Sequence, residues 1–155
     1  MHLAFSSMNT LNDPHPAELA KLLEDRGFES LWYGEHSHIP CSRKTPYPPG
    51  GEMPDPYRLM MDPYLSLMTA ANATTTLRLG TGITLVPQRN PIYTAKEFAT
   101  LDWLSGGRVD FGIGVGWCKE EVIACGYTWE DRGSRCDEFL ELMQSLWTED
   151  STNYQ

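Results

Sequence analysis

The sequence predicts an α/β fold in which helices pack on a parallel sheet. Three observations carry this. Strand-like and helix-like segments alternate strictly along the chain, four of each. The strand-like segments are apolar nearly throughout, as strands buried on both faces are. The stretch from Leu77 to Trp117 reads strand, loop, helix, turn, strand, which is a complete βαβ unit.

Taken in order, Leu3 to Met8 is the first strand. Asp13-Pro14-His15-Pro16 turns the chain into a helix whose apolar face is Ala17, Leu19, Ala20, Leu22 and Leu23, and Gly27 ends it. Phe28 to Gly34 is the second strand, and its carboxyl end delivers Glu35 and His36. From residue 37 to 58 the chain changes character, with six prolines and the pair Gly50-Gly51. Loops beyond about 12–15 residues are functional or disordered, so this one is either a cover for a site at the strand ends or a surface excursion. Asp62-Pro63 gives a cap and a first-turn proline for a second helix that ends near Thr74. Leu77 to Val86 is the third strand. Asn90-Pro91 repeats the cap signal and Gly106-Gly107 stops the third helix. Arg108 to Val115 is the fourth strand. A loop rich in Cys, Gly and acidic residues follows. Ser134 and Asp137 then fit a capping box for a last helix with Phe139, Leu140, Met143, Leu146 and Trp147 on one stripe.

The chain has 155 residues, enough for one domain with a sizeable core. Twelve basic against 21 acidic residues give a formal net charge of -9, which argues against a nucleic-acid partner. No apolar run reaches the roughly 18 residues that span a bilayer. The first residues lack both a basic segment and a long apolar core, so they read as a strand and not as a signal peptide. Cys41, Cys118, Cys125 and Cys136 form no C-x-x-C pair, and no histidines stand at zinc-site spacing. They read as reduced thiols of a cytoplasmic protein, with no metal site expected.

Glu35-His36 is the first candidate for chemistry, because α/β folds and barrels place reacting groups at the carboxyl ends of strands. A histidine there can transfer a proton near neutral pH; the alternative is a surface histidine. Successive strand residues alternate, so the Glu35 carboxylate is expected on the other side. Gly112-x-Gly114-x-Gly116 is not the dinucleotide fingerprint, which needs a glycine where Trp117 stands. It reads as a strand end bare on one face, open to a flat ring. Thr81-Gly82-Ile83-Thr84 places a glycine within a strand, which marks a bulge or close approach to a ligand, the alternative being tight packing inside a barrel. Neither a P-loop lysine motif nor a G-x-S-x-G elbow occurs.

Several blocks together resemble one family. Leu79-Gly80-Thr81-Gly82-Ile83, Asn90-Pro91, Ala95 to Asp102, Leu104 to Val109, and Gly112-x-Gly114-x-Gly116-Trp117 resemble the luciferase-like monooxygenase superfamily. Leu31 to Pro40, Arg132 to Arg135 and Leu146-Trp147 resemble its branch that uses the deazaflavin coenzyme F420. The resemblance implies a (β/α)₈ TIM barrel of which these residues are the first four βα units. It implies an oxidoreductase moving hydride to or from a small organic substrate on F420, with FMN-dependent monooxygenation as the alternative. It implies His36 as the catalytic proton-handling or orienting group. Glu35, Thr81, Gly82, Ile83, Gly114, Gly116 and Trp117 are implied around the ring, with a non-prolyl cis peptide at Gly82-Ile83. Some relatives carry a catalytic glutamate where this chain has Trp117, so the acid is unassigned. Glu120 and Glu121 stand just beyond.

The resemblance also implies a chain about half the usual length, read here as the N-terminal half of the barrel. Four parallel strands do not close a barrel and leave two open edges. The expectation is therefore a homo-oligomer, and a half barrel that only binds or dimerises is the third reading.

Overall fold

The computed structural model describes residues 2–154. Four parallel strands form one sheet in the order β1 (Ala4–Ser7), β2 (Ser30–Tyr33), β3 (Arg78–Thr81) and β5 (Val109–Asp110). Phe5 stands beside Leu31, Leu31 beside Leu79, and Leu79 beside Val109. The third and fourth strands are not continuous as the sequence suggests. Each breaks at a glycine-containing segment and resumes as β4 (Thr84–Leu85) and β6 (Ile113–Gly114), which pair in parallel with each other and leave the main sheet. The break after β3 contains a cis peptide between Gly82 and Ile83.

The helices are α1 (Pro16–Asp25), α2 (Pro63–Ala73), α3 (Pro91–Ser105), α4 (Lys119–Ala124) and α5 (Arg132–Thr148). The two cap-plus-proline signals hold. The Asp62 carboxylate accepts the Leu65 N–H, and Asn90 accepts the N–H groups of Ile92 and Tyr93, which satisfies donors that a helix start leaves without partners. Gly106, in the left-handed conformation, closes α3. The helical turn α4 lies in what the sequence suggests is a loop. The capping box at Ser134 does not form, because α5 starts earlier, after Asp131. Ser134 sits in its first turn, and its hydroxyl donates to the Asp131 carbonyl. The buried face of α5 is also rotated from the expected stripe. Cys136, Phe139, Leu142 and Met143 are buried, while Leu146 and Trp147 remain partly exposed, although the Trp147 indole packs against Phe98 and Phe111 and donates to the Ala95 carbonyl.

One core holds this together. Leu31, Tyr33, Leu77 and Leu79 from the sheet pack with Leu19, Ala20 and Leu23 of α1, Tyr64, Leu67 and Ala70 of α2, and Phe98 and Leu101 of α3. All three helices therefore cover the same face, which separates this sheet from a doubly wound one. The other face carries Trp32, whose ring lies across Gly80 so closely that a β-carbon there would come within 2.3 Å of it. A second cluster joins Val86 and Ala95 to Cys136, Phe139 and Met143 of α5.

Candidate active site

The carboxyl end of β2 aims His36 inward. Its side chain is 6% exposed, and its Nδ1 lies 2.7 Å from Oε2 of Glu121, which is 1% exposed. On its other side, Nε2 accepts a hydrogen bond from the indole N–H of Trp117 at 3.2 Å. The rings of Tyr57 and Trp117 meet the imidazole edge-on, each with its centroid 5.5 Å away. Glu121 is fully engaged. Its Oε1 accepts from the Ser37 N–H at 2.7 Å, the Ser37 hydroxyl at 3.0 Å and the Gln88 side-chain amide at 3.0 Å. Burial alone would push its carboxyl up, but the hydrogen bonds from His36, Gln88 and Ser37 together hold it below the usual range.

His36 borders a cavity of about 490 Å³ at the strand ends. One wall is made of residues 6–8 after β1, Gly34, the pair Gly82-Ile83 and residues 114–116, with four glycines among them. Tyr57, Met60 and Trp117 supply side-chain surface around it. A flat ring system fits such a wall, because glycine-rich backbone and aromatic edges leave room for a planar face. Gly114 needs a different explanation from the one its spacing suggests. A β-carbon there would lie 2.5 Å from the Ile83 side chain, so the glycine makes room for Ile83 and its face is not bare.

The other residues singled out from the sequence are placed as follows. Glu35 borders the cavity, but its carboxylate points away. One oxygen accepts the Leu85 N–H at 2.6 Å, and the other takes Arg89 Nε at 2.7 Å. Arg89 extends the cluster to Asp62 and Glu97, and lies over the Tyr64 ring at 4.5 Å. Thr81 is fully buried behind the wall and donates to the Gly112 carbonyl at 2.8 Å. Gly82, Ile83, Gly114, Gly116 and Trp117 meet at the cavity with His36.

The proline-rich segment folds over this region and is tied down along its length. Ser37 is held by Glu121. The Lys44 and Thr45 N–H groups bind the Glu120 carboxylate at 2.7 and 3.0 Å. The Tyr47 and Tyr57 hydroxyls meet at 3.1 Å, and Asn9 brackets Met61 through two hydrogen bonds. The sequence left open which acid serves the site. Glu121 is the carboxylate against His36, and α4 carries both it and Glu120. The sequence signal for it was only the pair of glutamates just after the fourth strand.

The luciferase-like monooxygenase family model matches residues 12–155. A Mycobacterium tuberculosis protein is 39% identical over 142 residues, covering 90% of this chain and 50% of its own length. The F420-dependent glucose-6-phosphate dehydrogenase of Amycolatopsis mediterranei is 32% identical over 143 residues, covering 89% of this chain and 39% of its own. Flavin-dependent enzymes are also among the relatives. The crystal structure of the monooxygenase RslO1 from Streptomyces bottropensis superposes with a TM-score of 0.82 at 25% identity, over 100% of this chain and 45% of that one. The chain thus spans half or less of the length of the relatives it matches. On the extent of the family match, and with the parallel sheet and strand-end cavity described above, this chain belongs to the luciferase-like monooxygenase family.

Proposed function

We propose that the protein is an F420-dependent oxidoreductase of this family, moving hydride to or from a small organic molecule. The observation that carries the reading is His36: a buried imidazole at a strand end, backed by a carboxylate and facing a cavity with a glycine-rich wall. When bound, the deazaflavin supplies the hydride donor or acceptor. Gly82, Ile83, Gly114, Gly116 and Trp117 would hold its ring, and Glu35 shapes the same wall by fixing the Leu85 amide. His36 holds or receives the proton that accompanies hydride movement. The 37–58 segment covers the site, and a second copy of the chain covers the open sheet edge.

The choice of F420 is supported by the match of Leu31 to Pro40 to that branch and by the F420-dependent relative. Likeness to the flavin-dependent trigonelline monooxygenase of Acinetobacter baylyi, 29% identical over 136 residues, favours a flavin such as FMN as the second reading. Titration of the chain with F420 and, separately, with FMN tests the choice, since the two absorb differently. Saturable binding of F420 with weaker or no binding of FMN is the expected result. Preference for FMN would move the assignment to a flavin monooxygenase, and binding of neither would overturn the cofactor reading.

A further inference from the structure

We propose that Glu121 is a positioning residue that fixes His36 as its Nδ1–H tautomer, so that Nε2 meets the cavity as a proton acceptor. The catalytic value of this rests on His36 handling the proton; the tautomer itself does not.

The argument is a count of donors. The indole nitrogen of Trp117 can only donate, so the 3.2 Å contact with His36 Nε2 requires Nε2 to accept. The ring hydrogen is then on Nδ1, where it is given to Glu121 Oε2 at 2.7 Å. Glu121 has no freedom to offer anything else. Its other oxygen accepts from the Ser37 N–H, the Ser37 hydroxyl and the Gln88 amide, and the N–H and the amide need an oxygen opposite them. The carboxylate is 1% exposed, so no water competes for it easily.

Two consequences follow for the occupant of the cavity. The resting site offers a base, with its lone pair already covered by Trp117. A molecule that engages His36 must displace that indole contact and bring its own O–H or N–H. When such a group gives up its proton, the bonding pair stays on its oxygen or nitrogen and the proton forms a bond to Nε2. The resulting imidazolium keeps its Nδ1–H on Glu121, whose negative charge balances it.

The substitution Glu121→Gln inverts the arrangement. The Ser37 and Gln88 donors demand an oxygen on their side, so the new carboxamide presents its NH₂ group to His36. Nδ1 must then accept, the ring hydrogen moves to Nε2, and it opposes the Trp117 N–H. Long-range ¹H–¹⁵N correlation on the ¹⁵N-histidine-labelled chain, with no cofactor, reads the tautomer of each of the four histidines, and loss of one signal set in His36→Ala assigns His36. The expected results are an Nδ1–H ring in the wild-type chain, an Nε2–H ring in Glu121→Gln with faster exchange of the Trp117 indole hydrogen, and an Nδ1–H ring retained in Trp117→Phe. An Nε2–H ring in the wild-type chain overturns the proposal, as does an unchanged tautomer in Glu121→Gln. If Glu121→Gln does not fold, the wild-type and Trp117→Phe spectra decide, since loss of the Nδ1–H ring in Trp117→Phe would show that Glu121 does not set it. The cofactor titration fails or succeeds independently of these spectra.

Discussion

The proposed function puts the chemistry of the site on His36, a side chain held from two directions by Glu121 and Trp117. Replacing it in a preparation that turns over should lower turnover by about 10²–10⁴-fold, the usual contribution of a positioned acid–base group. Affinity for the cofactor should stay nearly unchanged, because the proposed ring-facing wall is formed by other residues, four glycines among them. Steady-state rates beside a binding titration check both halves, and equal turnover in His36→Ala would remove His36 from the mechanism. His36 was legible in the sequence because it directly follows an apolar strand. Glu121 was not, because it meets His36 across 85 positions of sequence, and no local pattern records a contact between such distant residues.

Among the elements, α4 and the proline-rich loop act as a pair. Glu120 receives the backbone of Lys44 and Thr45. Burial is the largest single influence on the Glu120 carboxyl and pushes it up, but the hydrogen bonds from Lys44 and Thr45 together outweigh it and hold the group at about 2. The sign follows from linkage. A carboxyl with a lowered folded value contributes stability that is complete above its unfolded value, near 4.5, and is lost as pH falls through about 2. The loop clamp should therefore be constant from neutral pH down to about pH 5 and weaken progressively below that. Amide chemical shifts of Lys44 and Thr45 followed against pH test this. A midpoint near 4.5 would mean that the carboxylate is not engaged, and Glu120→Ala should make the loop readily cleaved by protease even at neutral pH. The loop's proline content was plain in the sequence, but its attachments were not. The helix α4 escaped notice because six residues bury only Glu121 and Val122, too little for a periodic pattern. The mid-strand Gly82 marked the irregularity in the third strand, but not that the chain resumes as a separate strand pair, since the flanking residues of Leu77 to Val86 are β-prone. Only the pairing of Thr84 with Ile113 shows where the sheet divides.

At the scale of the whole molecule, strand order follows sequence order and the helices α1, α2 and α3 cover one face, so the layers were legible from alternation alone. The sheet ends at β1, whose outer residues Ala4 and Phe5 are exposed, and at β5, which pairs on one side only. Leu3, Phe5, Ile113 and Val115 add exposed apolar surface near these edges and strand ends. Unpaired edges and apolar patches favour association. Sedimentation at micromolar concentration should show a dimer or larger assembly. A well-behaved monomer would mean that the open edges are tolerated in solution.

Arg89 gives this molecule a single point of mechanical agreement. One guanidinium touches Glu35 at the end of β2, Asp62 at the start of α2 and Glu97 within α3. Asp62 is at the same time the cap of α2. Two successive strand–helix connections, β2 to α2 and β4 to α3, therefore share one fastening. The Glu35 end of that fastening borders the cavity, so the wall is tied through one guanidinium to two helices that do not line it.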